Sequence, residues 1–193
     1  MISRIDHVSL AVNDFKAAKA FFEGILGAVP GAEAKDDSLK FFWKIFSLGD
    51  LSRFELMEPT GSGSFLDNFL AGKKGGGIHH MTLETPDIAQ FKRHLEDHHI
   101  PYFGYADLGD AWKELFIHPR DAFGVLIQVA EMSDPDDYLG EGAKHGTGKR
   151  WRIERVNGGI ELVMAHPGGG NVRFEMDRDE VGALVEELTA FIS

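Results

Sequence analysis

A chain that contains the same segment twice must fold as two similar modules that share a core, and this one does. IDHVSLAVNDF (residues 5–15) and IHHMTLETPDI (residues 78–88) match at Ile5/Ile78, His7/His80, Leu10/Leu83 and Asp14/Asp87. Each pair is separated by 73 residues. FELME (54–58) and IQVAE (127–131) fall at the same separation with no gap between, which makes a duplication the better reading than chance.

The local order is the same in both copies. IDHVSLAV and IHHMTLET alternate apolar and polar residues, the period of a strand with two unlike faces. Asp14 and Asp87 follow as N-cap residues. Helical spacing comes next, at Phe15, Ala18, Phe22 and Leu26 in one copy and at Ile88, Phe91 and Leu95 in the other. Gly27 with Pro30, and His99 to Pro101, end these helices. Strand-like segments complete each copy: LKFFWKIFSLG and SRFELME, then WKELFIHP and GVLIQVA, with further strands expected near 29–33 and 102–105. Each copy therefore reads βαβββ, over about 1–73 and 74–131. SFLDNFLAGKK is a short apolar helix between them, and Gly75 to Gly77 reads as a hinge.

From Met132 the composition shifts. Residues 132–149 are rich in Pro, Gly and Asp and read as a linker. Residues 150–193 read as three strands with hairpin turns and a helix. Asp177 with Glu180 opens that helix, and Val181, Leu184, Val185, Leu188 and Phe191 stripe it. Such a short βββα extension buries little alone, so it packs on the body or on a second subunit. The fold class is α+β: two tandem βαβββ modules in residues 1–131, plus this extension.

Composition narrows the function classes. A net charge of −11 disfavours nucleic acid and anionic membranes as partners. With no Cys, disulfide scaffolds, thiolate zinc sites and thiol nucleophiles are excluded. No 18-residue apolar run or signal-peptide pattern stands out, so a soluble cytoplasmic protein is expected.

Strand parity then groups four residues. In each module the apolar strand face carries the helix, and the other face turns toward a cleft. His7, Glu55, His80 and Gln128 all lie on the non-helix face, two from each module. If the modules pack with pseudo-twofold symmetry, the four converge in one cup. Two imidazoles, a carboxylate and an amide oxygen suit a divalent ion such as Co, Ni, Mn, Zn or Fe. His79 has the opposite parity and is expected to face away from the cup. Phe41, Phe42, Trp43 and Phe46 read as a core strand rather than a pocket wall.

HVSLAVNDF, GGGIHHMTLETPDI and LFIHPRDAFGVLIQVAE resemble the vicinal oxygen chelate superfamily, which includes glyoxalases, epimerases, extradiol dioxygenases and antibiotic-resistance proteins. Within it, SFLDNFLAGKKGGGIHH and HPRDAFGVLIQ most resemble the methylmalonyl-CoA epimerases. The resemblance covers residues 1–131. It implies an open mixed-sheet barrel, glyoxalase-like, around a metal held at His7, Glu55, His80 and Gln128, and a homodimer. It implies an isomerase that transfers a proton alpha to a carbonyl through a metal-stabilised enolate. The substrate is then a small molecule with two adjacent oxygens, an acyl-CoA among the candidates, with Lys40, Lys44, Lys73 and Lys74 as cations for it. The epimerases carry the glutamine ligand in the first module and the glutamate in the second; here the order is reversed.

Glu55 is the expected catalytic base. Inversion at carbon calls for a second one, and Glu114 and Glu84 are the candidates. Rival readings are a glyoxalase-like lyase (lactoylglutathione lyase), an Fe(II) dioxygenase, and a metal-free protein that binds a small molecule or antibiotic.

Overall fold

Asp14 and Asp87 start the two halves in the same way. Each side chain accepts a hydrogen bond from the backbone N–H three residues on, at Ala17 and at Gln90. The computed structural model describes residues 1–49, 52–133, 151–165 and 171–192. It divides into two units, Met1–Ala143 and Lys144–Ser193.

The first unit runs β1 (Arg4–Val12), α1 (Phe15–Lys19), β2 (Val29–Asp36), β3 (Phe41–Ser47), β4 (Arg53–Pro59) and α2 (Leu66–Leu70). It continues with β5 (Gly76–Glu84), α3 (Ile88–Asp97), β6 (Phe103–Asp107), β7 (Lys113–Ile117) and β8 (Ile127–Glu131). The eight strands form one mixed sheet in the order β2-β3-β4-β1-β5-β8-β7-β6, curled strongly into a half-barrel. β1 lies parallel to β4 and β5 parallel to β8, while β1 and β5 pair antiparallel at the centre. The first four strands thus repeat in the second four about an axis between β1 and β5. Both parallel ladders keep the 73-residue relation: Ser9 pairs with Glu55, and Thr82 with Gln128.

α1 and α3 cover the convex face, while α2 packs on Ala11 and Met57 of the other face. Ile88, Phe91 and Leu95 of α3 pack with Leu115, Ile117 and Val129, as their spacing predicts. Phe15, Ala18 and Phe22 pack on Val12, Phe46, Phe54 and Leu56. Leu26 does not join them and is exposed. After Lys19 the helix widens into a π-helical stretch, Ala20–Ile25, with Leu26 N–H bonded to Phe21 C=O. The wider turn moves every later side chain out of the α-helical phase, and Leu26 with it.

Two glycines of the expected hinge are strand residues. Gly77 pairs with Ala11 and Gly76 with Val12. Gly76 has φ of +121°, and a Cβ there would lie 2.1 Å from the Ala11 carbonyl oxygen. Gly76 is glycine because β1 and β5 come too close there for a side chain.

In the second unit, β9 (Trp151–Val156), β10 (Gly159–Ala165) and β11 (Asn171–Asp177) form an antiparallel sheet, and α4 (Arg178–Ile192) packs on β10 and β11. Asp177 Oδ1 accepts from Asp179 and Glu180 N–H, while Glu180 Oε2 accepts from Asp177 N–H, a complete capping box. Trp151, Ile153, Met164, Val172 and Phe174 remain exposed, as do Val185, Leu188 and Phe191 of α4. Most of the linker expected over 132–149, from residue 134 on, lies outside the described residues. No helix among the described residues is long and apolar enough to cross a membrane.

Candidate metal centre

β1, β4, β5 and β8 are neighbours at the centre of the sheet, so their concave-face side chains meet. His7, Glu55 and His80 are buried, and each offers a ligand atom within 4.8 Å of the others. Gln128 closes the set, with Oε1 3.2 Å from His80 Nε2. All four residues singled out by parity thus lie in one cup.

Two hydroxyls that the parity argument placed on this face without singling them out complete it. Ser9 Oγ donates to Glu55 Oε2 at 2.6 Å and lies 2.9 Å from His80 Nε2. Thr82 Oγ1 donates to Gln128 Oε1 at 2.6 Å and lies 3.0 Å from His7 Nε2. Each hydroxyl ties the acidic or amide residue of its own module to the histidine of the other. Ser9 and Thr82 are themselves 73 residues apart, so the repeat contained the signal for both.

Behind His7 stands Asp6, whose Oδ2 accepts from Nδ1 at 2.6 Å. Its Oδ1 is ion-paired to the buried guanidinium of Arg53 and, at 3.3 Å, to Arg4. That bond puts the His7 proton on Nδ1 and leaves the Nε2 lone pair facing the cup. Here a partner that β1 parity could not predict orients a ligand.

Burial sets the electrostatics. It pushes His7 below the ordinary imidazole value, with the Glu55 charge pulling the other way. His80 is lowered to about 3 by burial, then by His79 and His7. Burial raises the Glu55 carboxyl, opposed by His7 and the Ser9 hydrogen bond. The imidazoles are therefore neutral, as ligands must be. The Glu55 carboxylate, Gln128 Oε1 and the His7 lone pair share few protons, since each hydroxyl has only one to give. A buried cluster with surplus acceptors and nitrogen and oxygen donors fits a divalent cation.

The cup opens into a cavity of about 400 Å³. Phe41, Trp43, Ile45 and Met57 form one apolar wall, and Leu108, Trp112 and Phe116 another. Phe41 and Trp43 thus face a cavity as well as packing on Met57 and Leu66, which corrects the purely core reading of that strand. His79 also lines the cavity. The β1–β5 pairing slips between His80 and Ile78, and this bulge turns His79 inward against its parity. Its ring lies between Phe65 and Phe69, at 5.6 and 4.8 Å, and burial lowers its proton affinity to about 4.

Glu114 lies on the cavity wall. Glu84 does not; it is bonded to Arg4 Nε at 2.6 Å. Among the described residues lining this cavity there is no Lys or Arg. Lys44 is paired with Glu33, Lys40 with the Ser62 carbonyl, and Lys73 lies over the Phe69 ring.

Residues 6–116 match the family model of the glyoxalase/bleomycin resistance protein/dioxygenase superfamily. An ethylmalonyl-CoA/methylmalonyl-CoA epimerase of Cereibacter sphaeroides is 34% identical over 135 residues, 68% of this chain and all of that protein. The mitochondrial methylmalonyl-CoA epimerase of Bos taurus is 32% identical over 132 residues, 67% of this chain and 75% of the relative. Among solved structures, a methylmalonyl-CoA epimerase from Mycobacterium tuberculosis superposes with a TM-score of 0.62 at 29% identity, covering 69% of this chain and 90% of that one.

Proposed function

The chain belongs to the glyoxalase/bleomycin resistance protein/dioxygenase superfamily, and on that premise we propose that it epimerises an alkylmalonyl-CoA thioester, methylmalonyl-CoA first among them. The observation that carries the proposal is the convergence of His7, Glu55, His80 and Gln128 in a buried cup of a largely apolar cavity.

In this reading those four residues hold one divalent ion, whose identity among Co, Ni, Mn, Zn and Fe is left to measurement. Bound there, the ion supplies positive charge beside the oxygen of a developing enolate. The remaining work belongs to the chain. The walls around Trp43 and Phe116 exclude water and take the alkyl branch and thioester. The cup holds the polar end of the substrate near His7 and His80. Glu55, held by the Ser9 hydroxyl and lining the cavity, takes or returns the alpha proton.

The proposal keeps a catalytic body of residues 1–131, a separate extension over 150–193, a cytoplasmic location and a homodimer. The exposed apolar side chains of β9 to β11 supply a surface for self-association.

The test is metal stoichiometry on purified protein, as isolated and after reloading, with the His7→Ala/His80→Ala double variant as control. About one tight divalent ion per chain, lost in the variant, and epimerisation of methylmalonyl-CoA are expected. Binding no greater than the variant's would end the metalloenzyme reading in favour of a small-molecule-binding protein. Turnover of a glutathione hemithioacetal alone would favour the lyase.

A further inference from the structure

Inversion at a carbon needs a proton carrier on each face, and Gln128 cannot be one. Among the described residues, four carboxylates line the cavity: Asp6, Asp36, Glu55 and Glu114. Asp6 is occupied by Arg53 and His7. Asp36 Oδ1 is bound to the Ser38 and Leu39 backbone and the Ser38 hydroxyl. We propose, on the epimerase reading above, that Glu114 is the second proton carrier and works opposite Glu55.

The repeat explains its position. Glu114 on β7 pairs with Ala130, and Trp43 on β3 pairs with Met57, two positions 73 residues apart. Glu114 is therefore the counterpart of Trp43, as Gln128 is of Glu55. The first module offers the cup a carboxylate on its ligand strand and an indole beside it. The second offers an amide on its ligand strand and a carboxylate beside it. At these paired positions each module thus contributes one carboxylate, and the two come from strands on opposite sides of the central β1–β5 pair.

The local bonds suit the role. Trp112 Nε1 donates to Glu114 Oε2 at 2.9 Å and Gln128 Nε2 to the same oxygen at 2.6 Å. Oε1 takes no hydrogen bond from any described residue, so one oxygen is anchored and the other is left for a proton. Glu55 and Glu114 line the same cavity, so the two carboxylates act within one small volume.

The step balances without another reactant. One carboxylate takes the alpha proton as the C–H bond breaks, and the electron pair passes to the carbonyl oxygen as the enolate forms. The other residue, starting as the carboxylic acid, gives its proton to the opposite face as the pair returns to carbon. The residues finish with exchanged protonation, which water or the reverse reaction resets.

The experiment follows each methylmalonyl-CoA diastereomer separately in D2O with metal-loaded wild type and Glu114→Gln. The variant's amide oxygen still accepts from Trp112 and Gln128, so a positioning role survives the change and a proton-carrying role does not. Expected are epimerisation reduced about 100-fold or more, alpha-proton exchange retained for one diastereomer through Glu55 and lost for the other, and unchanged metal stoichiometry. Undiminished epimerisation overturns the assignment. Equal loss of exchange from both diastereomers, with metal retained or lost, overturns it too. A wild type that neither epimerises nor exchanges either diastereomer overturns the epimerase reading itself, a result distinct from failure of Glu114 alone.

Discussion

At the level of single residues, the site depends on groups that hold its ligands in place. Asp6 neutralises the buried Arg53 and orients His7. Asp6→Asn keeps the shape and removes the charge that faces the buried Arg53 guanidinium. The expected cost is about 3 kcal/mol of stability and a roughly 10–100-fold weaker metal affinity, read by thermal denaturation and by metal titration. The buried histidines also set a pH dependence. His80 and His79, lowered to about 3 and about 4, stay neutral in the fold while the unfolded chain protonates near 6.5. The unfolded state then binds more protons, so the metal-free protein loses stability as pH falls from about 6.5 toward 4. His7 acts in the same direction; the raised Glu55 opposes it, one group against three. Denaturant midpoints should fall between pH 7 and 5, less steeply in His79→Phe. A flat profile would contradict the neutral buried cluster.

Among the elements, the β1–β5 seam is the most exacting. A Cβ at Gly76 would strike the Ala11 carbonyl, and its φ of +121° is strained for any other residue. Gly76→Ala should cost about 1–3 kcal/mol for the backbone conformation, with the clash added, and should loosen metal binding because His80 lies on the same strand. The helix faces are more ordinary. Leu95→Ala in α3 removes a buried side chain from the second-module core and should cost about 2–5 kcal/mol while leaving the metal stoichiometry at one. Both are read by equilibrium unfolding with metal titration alongside.

For the molecule as a whole, the described residues that line the cup and cavity all belong to Met1–Ala143. A chain ending at Ser133 should therefore bind metal and epimerise like the full protein. If the extension assembles the dimer, its removal should lower the mass seen by sedimentation. Lost turnover in a folded truncation would give the extension a part in the site; unchanged mass would remove it from assembly.

The repeat, the N-caps, the helix faces and the four cup residues were readable in the sequence, because each depends on local period and on one constant separation. Residue chemistry at those positions also pointed to a metal. Other features needed the folded chain. His79 turns into the cavity because β5 slips against β1, and Leu26 turns out because the first helix widens; either shift changes a side chain's face without changing its neighbours in sequence. Asp6 finds Arg53 across two strands, and Gly76 is required by a backbone that approaches from the other module. Glu114 meets Gln128 only when β7 pairs with β8. Periodicity assigns a residue to a face, but the pairing of distant strands decides what that face meets.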